Sequence, residues 1–353
     1  MLISISDNRK HRLQKDANNA LDGLSKIGKW WKEAYQLKYA IKRIIYMLMV
    51  FFIIISICFI LIKLLPDKPA EQFGKDANMV MMRRKALGYD KPLLVQYWIF
   101  VKRSLIGGDW GMSEVKYLGQ DVWKVFIGKM PATVVVNLYT MIFAVPLGLL
   151  LGIYAALKKN KWQDHLISTG VMIFVSVPSY VYAFLVQYFL CFKLKWFPLQ
   201  MREGTDFFSF SMFTTMIPAI ISLGFGTVAG LARYTRAELT EVLTSDYLLL
   251  ARTKGLSRSQ TTIRHALRNS MVPIFPMILG EFIGIIGGSL IIEAIFGVPG
   301  VGRLYIESIT STPPDYNMFL LLSAFYTIIG LASGIVVDLS YSLVDPRIKM
   351  GRR

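Results

Sequence analysis

Three carboxylates fall inside or at the ends of long apolar runs: Glu281, Glu293 and Asp338. A carboxylate in hydrocarbon is costly and is often retained for proton or cation transfer, so the trio could form a relay. The same side chains near a membrane face also serve as partners for basic or backbone groups, which is the plainer reading of Glu293 and Asp338. Glu281 lies deepest, where a polar channel or a subunit contact would account for it. Other catalytic chemistry is missing from the chain. No G-x-x-x-x-G-K-[ST] loop is present, so nucleotide hydrolysis is not expected of it. No H-E-x-x-H helix, nucleophile elbow or Cys/His cluster occurs. Cys58 and Cys191 sit within or beside apolar runs and suit neither a disulfide framework nor a metal cluster. His11, His165 and His265 are too scattered for metal-ligand spacing.

A second kind of chemistry, docking, is suggested by DYLLLARTKGLSRSQTTIRHALRNSMVP over 246–273. Arg233, Arg236, Arg252, Lys254, Arg258, Arg264 and Arg268 crowd this region, too many cations for a lipid-buried segment. Asp246 can cap a short helix that Gly255 stops. Ser257 followed by Gln260 forms the S-x-x-Q capping box of a second helix. Ile263, Leu267 and Met271 recur at four-residue spacing on one face of it. Two short helices joined at a glycine suit a docking surface for a soluble partner; an ordinary basic loop gives the same charge pattern.

Apolar spans must position these groups. Of 353 residues 54% are hydrophobic, with mean hydropathy +0.45, more than a soluble domain needs. The net charge is +17 and the isoelectric point about 9.7, yet the cations flank apolar runs instead of forming one stripe, which favours membrane topology over nucleic-acid binding. Spans are expected near 44–62, 133–157, 165–190, 213–232, 274–295 and 318–341. Each approaches the ~20 residues that cross a bilayer core. The fourth is interrupted by Pro218, Gly224 and Gly226. In the fifth, Gly280, Gly284 and Gly288 make two overlapping G-x-x-x-G pairs, with Gly287 beside them, for close helix packing within the chain or with another.

Orientation follows from the short loops, where Lys and Arg mark the cytoplasmic side. KKNKWQD at 158–164 carries three cations in seven residues, whereas 296–317 carries only Arg303. Both termini and the 233–272 loop are therefore expected in the cytoplasm. Residues 1–43 are expected as a basic amphipathic extension and not a cleavable signal; Trp30, Trp31, Tyr35 and Tyr39 suit the lipid headgroup level, and a short solvated lead-in helix gives the same pattern. Residues 63–131 are expected to fold as an outer cap, with Trp98, Trp110 and Trp123 as anchors. The core of the remaining spans is then 132–341, with the 233–272 loop inside it, followed by a tail at 342–353.

Several phrases resemble the permease subunits of ABC importers for oligopeptides and dipeptides, the first of the two paired subunits in particular. ARTKGLSRSQTTIRHALRNSMVP (251–273), IIEAIFGVPGVGRLYIESI (291–309) and VVDLSYSLVDPRIKMG (336–351) carry the resemblance, with MPATVVVNL, SVPSYVYAFLVQYFL, LGYDKPLLVQY and GGDWGMS in support. It extends over roughly 44–353. It implies an all-α membrane protein of six transmembrane helices with the type I importer permease fold and a large outer loop between the first two. It also implies a non-enzymatic chain in a bacterial plasma membrane. That chain pairs with a second homologous permease, two cytoplasmic ATPase subunits that bind the ATP and magnesium, and an extracytoplasmic peptide-binding protein. The cargo implied is a peptide, an oligopeptide before a dipeptide; a nickel or other small-solute permease, or an ion-coupled secondary transporter, are the alternatives. The resemblance makes Ala251, Arg252, Lys254, Gly255, Leu256, Ser257, Arg258, His265 and Leu267 the ATPase-coupling residues. The wider family pattern, E-A-A before the glycine and I-x-L-P at the end, is matched here only at Ala251, Gly255 and Leu267, since Leu249, Leu250, His265 and Arg268 depart from it.

Overall fold

The computed structural model of the protein describes residues 41–64 and 77–344. The amphipathic extension, apart from its last three residues, and the C-terminal tail after 344 lie outside them. By internal contacts the chain forms two units, residues 1–50 with 346–353, and residues 51–345. Of the first, residues 41–50 are described and are helical, with the Lys42 ammonium 5.5 Å from the Tyr46 ring.

The described residues are helical apart from loops and one isolated bridge between Met112 and Asp121. In chain order the helices are α1 (Ile41–Leu64), α2 (Ala77–Ala86), α3 (Leu93–Phe100), α4 (Val122–Leu157), α5 (Trp162–Ser176), α6 (Ser179–Val186) and α7 (Phe210–Leu243). They continue with α8 (Asp246–Thr253), α9 (Arg258–Thr261), α10 (Arg268–Gly287), α11 (Leu290–Ile295), α12 (Val301–Thr310) and α13 (Tyr316–Val344). Wider π-turns extend α3 over Val101–Ile106 and α6 over Gln187–Lys193, and join α9 to α10 over Thr262–Leu267. Five helical stretches are long and apolar enough to span a membrane, and a sixth span requires α5 and α6 to count as one. That pair, expected as a straight span over 165–190, is bent by 105°. Pro178 is the cause, because it holds Val177 in extended backbone and lacks an N–H for the helix ladder.

The fourth span differs in the other direction. Pro218, Gly224 and Gly226 do not interrupt α7, which runs unbroken for 34 residues. Its stability comes from packing along α4, where glycines let the two backbones approach. A Cβ at Gly152 would sit 2.6 Å from the Thr235 side chain and 2.7 Å from the Ala232 carbonyl. The main core lies between α4, α6, α7 and α11, around Val136, Ala183, Met212, Met216 and Ile292.

Among the described residues, 77–121 pack against α1 and the start of α13. Ile55, Phe59 and Ile62 of α1 pack with Phe100, Tyr316 and Leu320. Arg84 donates to Glu114 from Nη2 at 2.8 Å and Nε at 3.0 Å, both residues being buried. Asp315 accepts from the Ser113 hydroxyl and the Glu114 amide, and Asn317 donates to the Met112 carbonyl at 2.9 Å. These bonds tie the 107–121 loop to the start of α13. Burial pushes the Glu114 carboxyl up against the opposing pull of Arg84, and burial also raises Asp315. A raised carboxyl keeps its proton more readily in the folded cap than in the opened one, so its contribution is fully present in the ordinary carboxylate range and is lost as pH rises through the displaced value. Amide exchange in 107–121, corrected for its intrinsic rate, is therefore expected to be better protected at pH 5 than at pH 7. Glu114→Gln should flatten that dependence; better protection at pH 7 would contradict the assignment.

Candidate functional site

The basic segment folds as its local grammar requires. Ser257 Oγ accepts the Gln260 amide at 3.2 Å and Gln260 Oε1 accepts the Ser257 amide at 3.0 Å, a complete capping box. Gly255 stands at φ +90°, where a side chain would be strained although nothing lies within 4 Å of its would-be Cβ. Asp246 is the first residue of α8 and not its cap; Ser245 holds the cap position without a side-chain bond. Of the residues at four-residue spacing, Leu267 and Met271 are half-buried and Ile263 is not. Thr262, Ala266, Ser270 and Ile274 point inward, while Ile263 is 62% exposed. Small residues let this helix approach closely, and Ile263 lies outside that contact.

Among the expected coupling residues, Arg252, Lys254, Gly255, Ser257 and Arg258 are exposed. Leu256, His265 and Leu267 are half-buried, and Ala251 is buried. Leu267 turns inward onto a cluster formed by Ala156, Leu239, Leu248 and Ala266. Ala251 and Leu267 thus belong to the base of the segment, and the exposed cations to its outward surface. Sequence reasoning passed over Leu249 and Leu250, exposed at 62% and 56%, and treated Ile263 as part of a packing stripe. Leu249 and Leu250 are thus exposed apolar side chains on a helix that also exposes Arg252, a mixture found in protein contacts. Their signal was present as two leucines standing where the wider pattern has Glu and Ala.

The cluster joins α8 and the π-turn to the ends of α4 and α7. A second link runs to α5. Asp164 is buried and accepts Arg236 Nε at 2.5 Å and Nη2 at 2.8 Å, together with the Asn160 amide at 2.9 Å. The cluster thus ties the segment to α4 and α7, and the ion pair ties α7 to α5.

The intramembrane acids separate clearly. Glu293 is buried and accepts the Gly302 and Arg303 amides at 2.8 and 3.2 Å, while Thr133 accepts the Val301 amide at 2.7 Å. It therefore serves as a backbone partner, satisfying the first turn of α12. Glu281 is exposed on α10 and Asp338 half-buried on α13. In the same span Gly280 faces Val337, and Gly287 faces Tyr326, both of α13, so these glycines pack within the chain; Gly284 faces open space. Among the described residues no group of three His, Cys, Asp or Glu side chains could hold a metal.

Residues 148–350 match the family described as "Binding-protein-dependent transport system inner membrane component", and residues 36–137 match its N-terminal counterpart. The dipeptide transport system permease protein DppB of Lactococcus lactis subsp. cremoris (strain MG1363) is 32% identical over 89% of this chain and 99% of its own length. The glutathione transport system permease protein GsiC of Escherichia coli (strain K12) is 30% identical over the same shares. A crystal structure of an amino acid ABC transporter with histidines aligns with TM-score 0.47 and 16% identity, over 62% of this chain and 94% of that one.

Proposed function

The chain belongs to the binding-protein-dependent transport system inner membrane components, and on that premise we propose that it is one permease subunit of an ATP-driven importer of short peptides, gripped by an ATPase at residues 246–267. It is a multi-pass membrane permease. The observation that carries the coupling assignment is the exposure, over α8, α9 and the π-turn after them, of the apolar Leu249, Leu250 and Ile263 together with Arg252, Lys254 and Arg258. Relatives named for dipeptide and glutathione transport support a peptide cargo. Oligopeptide preference over dipeptide rests on the sequence phrases alone.

In this reading the chain pairs with a second, homologous permease. Two ATPase subunits bind on the cytoplasmic face, and a binding protein delivers peptide from outside. The three-to-one cation asymmetry between 158–164 and 296–317 supports placing the coupling segment and both termini in the cytoplasm. ATP and magnesium belong to the ATPases. When those subunits close on ATP, their differential contact with α8 and α9 in the two states supplies the driving force. The Leu248–Leu239–Ala156 cluster passes the displacement to α4 and α7, and Asp164–Arg236 carries it to α5, because close-packed groups move together. Glu293 has its place at the head of α12 and gives no support to a self-contained ion-coupled transporter.

The test is reconstitution of the chain with its neighbouring permease, ATPases and binding protein in liposomes. ATP-dependent accumulation of a short peptide that ceases when this chain is omitted is the expected result. Accumulation driven by an ion gradient without ATPases would overturn the proposal.

A further inference from the structure

Away from the coupling segment, a polar cavity of about 240 Å³ lies where four stretches of chain meet. Its charged lining comprises Lys116 from the cap loop, Lys129 near the start of α4, Glu203 from the 194–209 segment, and Arg303 and Glu307 of α12, with Tyr117 between the lysines. Three of these charges are already matched. Glu307 accepts Lys116 Nζ at 2.7 Å and Arg303 Nε at 2.9 Å, and Arg303 also donates to the Gly297 carbonyl at 3.1 Å. The leading amides of α12 are taken by Glu293 and Thr133, so that helix end is closed to a ligand. Two opposite charges remain. Lys129 and Glu203 form no ion pair or hydrogen bond with any described residue; Lys129 only lies 5.7 Å from the Tyr117 ring.

A space of this size far exceeds the ~30 Å³ share of one water, yet falls below the ~300 Å³ at which sites for whole drug-sized molecules begin. It suits one end of a short chain molecule. Three cations against two carboxylates also leave the cavity one positive charge in excess. Every lining stretch belongs to a segment that the loop-charge pattern places on the outer face, where cargo arrives.

We infer that this cavity receives the C-terminal end of a short peptide, its carboxylate on Lys129. The inference rests on the short-peptide reading above. It makes Lys129 a specificity residue at the outer mouth, remote from the coupling segment.

The assay compares uptake of trialanine and trialanine amide by the reconstituted importer, with the same saturating binding protein in every arm. Lys129→Gln is expected to lower trialanine uptake about tenfold, the scale of one charged hydrogen bond, while changing uptake of the amide by no more than about twofold. Lys129→Arg, which keeps the charge, should restore the discrimination. Equal loss for both peptides, or no loss for either, would overturn the site while leaving the importer reading intact. Failure of the unaltered importer to take up trialanine would count against the peptide reading and the site together.

Discussion

Glutamate at both Leu249 and Ile263 is expected to weaken ATPase binding by about three orders of magnitude while leaving the permease folded. Both side chains are 62% exposed in the isolated chain, so their replacement removes no internal packing. Exposed substitutions of this kind change stability by only about 0.5 kcal/mol. In a docked complex the same two positions would be central and dehydrated. Apolar anchors at such places contribute roughly 2 kcal/mol or more each, and a carboxylate left there without a partner adds its own desolvation cost. The readout is the amount of ATPase retained on affinity-purified permease, set against an unchanged thermal midpoint. Undiminished ATPase retention would remove the apolar side chains from the account and leave only the arginines.

The second large effect lies inside the chain. Asp164→Ala is expected to destabilise the protein by about 3 kcal/mol, the lower end for breaking one side of a buried ion pair. The lower end applies because the Arg236 side chain keeps 32% exposure and can partly rehydrate, whereas Asp164 is 1% exposed. The Asn160 amide loses its acceptor in the same change. A fall in the thermal midpoint on the order of 5 °C is expected for a chain of this size. Replacing both partners, Asp164→Leu with Arg236→Met, should recover most of the loss, because an apolar pair of similar volume leaves no charge stranded. Because the pair braces α5 against α7, the single variant should also hydrolyse ATP with less peptide moved per nucleotide. Full stability in the single variant would show that the pair holds nothing together.

Local grammar made much of the coupling segment legible in advance. The capping box at Ser257 and Gln260 and the positive-φ glycine at 255 depend on residues within a turn of one another, and both stand as read. Long apolar runs were equally plain, because span length and composition are set by the bilayer. What resisted reading was decided by distant partners. Which face of 262–274 turns inward depends on Leu239 and Ala156 approaching it, and small Ala266 and Ser270 permit a closeness that Ile263 would prevent. Pro218 marks a break by composition, yet α7 stays continuous because α4 supports it, whereas Pro178 bends its span through 105°. Asp164 pairs with a residue 72 positions away, and no spacing rule reaches that far. For Glu293 the plainer reading, a partner for backbone groups, is the one the α12 amides bear out.

Amide hydrogen exchange on the permease in lipid nanodiscs, with and without its ATPase, tests the central claim most directly. Slowed exchange confined to 246–267, with smaller changes at the facing ends of α4 and α7, is the result expected of a coupling element. Unchanged exchange across 246–267, with protection appearing at another loop, would contradict it.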